Sequence, residues 1–179
     1  IIDAAVNKCA KMLQEGAVII DVVAYSSRPG AEDISEEEEL KRLNPYLDEL
    51  VKNFPDAVFS VDTFRANVAE VAVEKGVGII NDISGGSEEM FKTVASIGVP
   101  YILMHTKGTP QTMQQNLHEA VPAGRQGKIL NEVMYYFSEK LNQLHRLGVK
   151  DIILDPGFGF GKTLEQNYRR TFGISPINH

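Results

Sequence analysis

Cysteine is almost missing. Cys9 is the only one, which excludes an internal disulfide and a cysteine metal cluster and suits a reducing compartment. No apolar run approaches the roughly 18 residues of a membrane-spanning helix, and no secretory leader pattern is present. Positive charge is in deficit: 18 Lys and Arg stand against 24 Asp and Glu, a net charge of −6. That argues against a basic nucleic-acid surface, but not against an anionic small molecule met by local cations. The four histidines have no metal-ligand spacing. No linker composition divides the chain, so its 179 residues read as one domain with a substantial core. They fall short of the roughly 250 residues of a complete (β/α)8 barrel.

Against these absences stands a repeat. Five short apolar runs end in polar residues: 19–30, 58–63, 79–86, 101–110 and 152–162. Continuous apolar runs are the signature of buried parallel strands. Helical patterns between them close on Glu15-Gly16, Lys75-Gly76, Ile97-Gly98 and Leu147-Gly148. The spacing predicts helices over 1–15, 35–53, 65–75, 88–97 and 128–147. Ser35 to Glu38 forms a capping box, and the acidic run 36–39 reads as a solvated helix start. The unit is helix, glycine, buried strand, polar tip, which is α/β barrel architecture, and in such barrels the strand tips carry the chemistry. The candidates are Asp21, Asp62, Asn81, Asp82, His105 and Asp155. Val121 to Gly127 reads as loop, and 168–179 as an irregular tail outside the barrel portion, 1–167. The chain opens inside a helical pattern (Ile2, Val6, Cys9, Met12, Leu13), so its natural start is expected upstream.

Several motifs admit two readings. Asp155-Pro156-Gly157-Phe158-Gly159-Phe160-Gly161-Lys162-Thr163 is not a Walker A loop, because Pro156 stands where the first glycine is required. It is either a turn that wraps a flat ring and meets an anion, or a tight turn whose glycines serve only the backbone. Arg28, aimed by Pro29-Gly30, is either a fork for phosphate or carboxylate or an exposed loop arginine. Asp62-Thr63 alone is a helix cap. Together, Asp62, Asn81 and Asp155 at one barrel mouth suit a heterocycle rich in N–H donors, such as a 2-amino-4-oxopterin edge. His105 is either a base or ligand, or a structural hydrogen-bonding group.

In order along the chain, Ser27-Arg28-Pro29-Gly30-Ala31, Val61-Asp62-Thr63, Ile80-Asn81-Asp82-Ile83-Ser84-Gly85-Gly86, Leu103-Met104-His105 with Gly108-Thr109-Pro110, and Leu154-Asp155 through Lys162 resemble the dihydropteroate synthase family from residue 1 to about Asn167. The resemblance implies a TIM barrel of which this chain holds the second through sixth strands. It implies condensation of 6-hydroxymethyl-7,8-dihydropterin diphosphate with 4-aminobenzoate to dihydropteroate and diphosphate. It places Asp62, Asn81 and Asp155 on the pterin, and Ser27, Arg28, Pro29 and Phe160 near 4-aminobenzoate and diphosphate. No residue is assigned a covalent or acid–base catalytic role. It further implies Mg2+, with no metal ligand in this chain, a cytoplasmic enzyme, small-molecule partners rather than nucleic acid or membrane, and a homodimer when complete.

The family's first strand, with its magnesium-linked asparagine, and its late lysine and Arg-x-His pair have no counterpart here. Val23 stands where a glycine is usual, and Lys107 where arginine is common. Residues 1–179 alone are therefore expected not to catalyse. The rival readings are a pterin-dependent methyltransferase, a phosphate-binding barrel enzyme without pterin, and a non-catalytic barrel fragment.

Overall fold

Each apolar run becomes a strand and each periodic stretch a helix in the structure, a computed structural model. It describes residues 2–25, 33–106 and 126–157, with side chains for all of these but 126–130. The order is α1 (Ile2–Gln14), β1 (Ile19–Val23), α2 (Glu36–Asn53), β2 (Val58–Asp62), α3 (Ala66–Glu74), β3 (Ile79–Asp82), α4 (Glu88–Ile97), β4 (Tyr101–Met104), α5 (Gln126–Arg146) and β5 (Ile152–Asp155). The five strands form one parallel sheet in sequential order, β1-β2-β3-β4-β5. A doubly wound sheet reverses its strand order at a switch point; this one does not. Successive helices pack side by side as an outer ring. The architecture is a partial (β/α)8 barrel of five parallel strands.

Local chemistry sets the boundaries. Ser35 Oγ accepts from the Glu38 backbone N–H at 3.2 Å, a helix N-cap. Glu38 turns its carboxylate to Arg42 Nε at 2.7 Å. At the other end of a helix, Gly76 takes a left-handed φ of 104° while Val77 N–H returns to the Ala72 carbonyl at 3.1 Å. That turn stops α3 and feeds the chain into β3, which is why a glycine recurs at this point in the repeat. α5 starts at Gln126, inside the stretch read from sequence as loop.

The core lies between the sheet and the helices. Phe59, Val61, Ile80, Tyr101 and Leu103 project outward onto Leu43, Leu47, Leu50, Val68, Ala72, Met90, Phe91 and Val94. Each such side chain contributes about 1.5–3 kcal/mol by leaving water. The opposite, inner face is different. Ile19, Val23, Val58 and Ile153 lie on it at 41, 54, 40 and 47% exposure, although the interior of a closed barrel is a packed layer.

One reading of the sequence fails here. The acidic run is not uniformly solvated: Glu39 is fully buried, accepting from Thr63 Oγ1 at 2.9 Å and ion-paired with Arg65. A buried carboxylate needs such partners, and both come from beyond the next strand, where helix periodicity gives no signal.

Candidate functional site

Strand register decides which polar residues share a face. Directly paired residues of neighbouring strands point the same way. Val23 pairs with Asp62, Asp62 with Asn81, Asn81 with Ile102, and Ile102 with Ile153. These five make one row across the inner face. Asp21, paired with Ser60, lies one step below it. Asp155, paired with Met104, lies one step above. The inner face thus carries Asp21, Ser60, Asp62, Asn81 and Asp155 toward the C-terminal ends of β1, β2, β3 and β5.

Asp21 organises the lower layer. Its carboxylate accepts from Ser60 Oγ at 2.5 Å and from Asn81 Nδ2 at 3.3 Å. With the Asn81 amide nitrogen so engaged, its carbonyl oxygen is left for another partner. Asp155 Oδ1 accepts from the Gly157 backbone N–H at 2.7 Å, which folds the turn after β5 and orients the carboxylate. On this face Asp62 and Asp155 then present carboxyl oxygens and Asn81 its amide oxygen as acceptors.

Burial makes that arrangement electrostatically tense. The Asp62 carboxyl is pushed up to about 7, first by burial and then by the negative charges of Asp21, Asp82 and Glu39. Burial also raises Asp21, against the lowering effect of the Ser60 and Asn81 hydrogen bonds. Buried acids raised in this way by burial and by neighbouring charge are candidates for a functional site. A ligand that brings N–H donors or positive charge relieves the tension.

Two of the sequence candidates stand on the other side of the sheet. Asp82, fully buried, follows Asn81 and so faces the helices. Its carboxylate accepts from Ser84 Oγ (2.6 Å), the Ser84 backbone N–H (2.8 Å) and Tyr101 Oη (2.8 Å). His105 is buried with its ring edge-on to Tyr136, centroids 4.8 Å apart, and its backbone N–H donates to the Asp155 carbonyl at 2.8 Å. Both brace the frame rather than face the mouth. Tyr136 Oη donates to the Gly85 carbonyl at 3.0 Å, and Lys140 Nζ to the Gly86 carbonyl at 3.2 Å, so α5 fastens the turn that follows Asn81.

Ser27, Arg28, Pro29 and Phe160, with Lys107, Lys162 and the 168–179 tail, lie outside the described residues. Sequence reasoning missed the pairing of Asp21 with Ser60 and the partners of Arg65. The signal for the first was available: Asp21 and Ser60 interrupt apolar runs at the same strand parity as Asp62 and Asn81. Among the described residues no three His, Cys, Asp or Glu side chains converge as a metal-holding group.

Comparison with known proteins joins this geometry to a chemistry. The family model for pterin binding enzymes matches residues 2–178. Dihydropteroate synthase of Synechocystis is 42% identical over 167 residues, covering 91% of this chain and 55% of the relative. The structure of dihydropteroate synthase from Anaplasma phagocytophilum with bound 6-hydroxymethylpterin-monophosphate superposes with a TM-score of 0.86 at 32% identity, over 97% of this chain and 65% of that one. The Xanthomonas albilineans enzyme with 4-aminobenzoic acid gives 0.80 at 32% identity, over 94% and 57%. The chain spans little more than half the length of the curated Synechocystis relative.

Proposed function

The chain belongs to the pterin binding enzyme family, and we propose that it carries the pterin-holding part of a dihydropteroate synthase. The observation that carries this reading is the inner-face acceptor set of Asp62, Asn81 and Asp155, with Asp21 fixing the Asn81 amide. A 2-amino-4-oxopterin presents several N–H donors along its edge. Carboxylates meet such donors with charge-assisted hydrogen bonds, stronger than neutral ones. The same carboxylates favour positive charge developing on the pterin's exocyclic methylene as the bond to diphosphate breaks. The aniline nitrogen of 4-aminobenzoate forms the new C–N bond with its lone pair and loses a proton; diphosphate leaves with the bonding electrons. No covalent enzyme intermediate is needed. Preorganised groups at the points of charge development supply the stabilisation.

In this reading Ser27, Arg28 and Pro29 meet 4-aminobenzoate and diphosphate, and Phe160 walls the aminobenzoate pocket. Magnesium is implied by the resemblance alone, and no step here passes through it. The substrates are small molecules. Among the described residues no helix is long and apolar enough to cross a membrane. A cytoplasmic location accords with the single, buried, free Cys9, and we take the complete enzyme to be a homodimer.

The exposed Ile19, Val23, Val58 and Ile153 favour a second, narrower reading, in which residues 1–179 bind the pterin without turning it over alone. One assay addresses both. The chain, and a chimera in which it replaces the matching segment of the Synechocystis enzyme, are given the dihydropterin diphosphate and labelled 4-aminobenzoate. Label entering dihydropteroate with the chimera and not with the chain supports both readings. A folded chimera that binds neither substrate contradicts the first. A chain that turns over unaided contradicts the second.

A further inference from the structure

Arg65 gathers both ends of the segment 26–32 into one site. It stands at the N-cap of α3, three residues after Asp62. One guanidinium nitrogen is ion-paired with the buried Glu39, whose other oxygen accepts from Thr63 Oγ1 at 2.9 Å. The second nitrogen donates to the Ile34 carbonyl at 2.6 Å and lies 3.8 Å from Asp33 Oδ1. The guanidinium carbon lies 4.8 Å from the Phe64 ring centroid and 5.3 Å from that of Tyr25. Tyr25 packs edge-on against Phe64, centroids 5.1 Å apart, and its hydroxyl donates to Asp33 Oδ1 at 3.2 Å. Tyr25 is the last described residue before 26–32, and Asp33 is the first after it.

A link that only joined α2 to α3 needs the Glu39 pair and nothing more. Apart from Glu39 and its chain neighbour Phe64, the Arg65 contacts described above fall on Tyr25, Asp33 and Ile34, the residues that flank the segment. We propose that Arg65 is a positioning residue: it ties Tyr25, Asp33 and Ile34 to the turn that carries Asp62, and its loss is felt at 4-aminobenzoate, the substrate that the reading above gives to Ser27, Arg28 and Pro29. The inference rests on the reading of the mouth given above. It calls for arginine specifically. One planar fork reaches polar partners in different directions while its central carbon stays within cation–π range of two rings; a lysine ammonium offers a point charge.

The test compares the wild-type chain with Arg65→Met and Arg65→Lys. Backbone hydrogen exchange is followed by mass spectrometry in a peptide covering 24–35 and in one covering α3. Calorimetry measures 6-hydroxymethylpterin and 4-aminobenzoate separately. Lysine keeps the charge opposite Glu39, so a merely structural arginine is rescued by it. The expected result is exchange in 24–35 faster by about tenfold in both variants, with α3 unchanged in Arg65→Lys, since local opening is set by local contacts. Affinity for 4-aminobenzoate falls several-fold while that for the pterin holds. Unchanged exchange in 24–35, full rescue by lysine, or an equal loss for both ligands overturns the proposal. A wild-type chain that binds neither compound removes the reading of the mouth; faster exchange in both variants then still establishes the clamp.

Discussion

Asn81 Nδ2 donates to Asp21 Oδ2 at 3.3 Å, across 60 residues of sequence. The bond joins β3 to β1 past the intervening β2 and sets which end of the Asn81 amide is left for a ligand. Asp21→Ala removes that constraint and leaves Ser60 without its partner. Affinity for a pterin should fall several-fold, about 1 kcal/mol, as expected for one net hydrogen bond, with Asp62 and Asp155 untouched. Calorimetry with 6-hydroxymethylpterin reads it; unchanged affinity shows that Asn81 orients itself.

Asp62 makes stability depend on pH. Its carboxyl titrates at about 7 in the fold and at about 3.9 in the unfolded chain. Between those values the folded chain holds the extra proton, so stability is fully present below about pH 4 and is lost as pH rises through about 7. Asp21, also raised, acts in the same direction. Asp62→Asn should therefore be more stable than wild type at about pH 8, by an amount of order a few kcal/mol, and close to it at about pH 4. Denaturant titrations at the two pH values decide it; a constant difference removes the buried-charge account.

The turn after Asn81 is packed so closely that only glycine fits. Gly85 has φ of +86°, and a Cβ there would run into the Tyr136 hydroxyl. Gly85→Ala should cost about 1–3 kcal/mol, from overpacking and from left-handed backbone strain. In Gly85→Ala with Tyr136→Phe the collision eases and the strain stays. Thermal melts should show partial recovery; complete recovery would assign the whole cost to the hydroxyl.

Arg28 supplies a prediction from sequence and family resemblance. Arg28→Lys keeps the charge and loses the planar fork, so it should lower efficiency in the synthase chimera by about tenfold or more. Steady-state kinetics in both substrates give the answer, and an unchanged kcat/KM for each makes Arg28 a bystander.

The sequence made the repeat legible because parallel strands covered on the outer face read as apolar runs and the helices end on glycine. Period and punctuation were enough to place β1 to β5. Facing was harder. Asn81 and Asp82 are adjacent polar residues at one strand tip, and only register shows that Asn81 faces inward while Asp82 braces Tyr101 on the helix side. Glu39 looked like its three acidic neighbours because its partners, Thr63 and Arg65, are distant in sequence. The tie from Arg65 to Tyr25 and Asp33 was invisible for the same reason.

The central claim is that the acceptors Asp62, Asn81 and Asp155 hold a pterin. Calorimetry of 6-hydroxymethylpterin against the wild-type chain and Asp155→Ala tests it most directly. Wild type should bind measurably, and the variant should lose about 1–3 kcal/mol or more, because ring donors lose a charged partner. Equal affinity in a folded Asp155→Ala, or no binding to a folded wild-type chain, contradicts it.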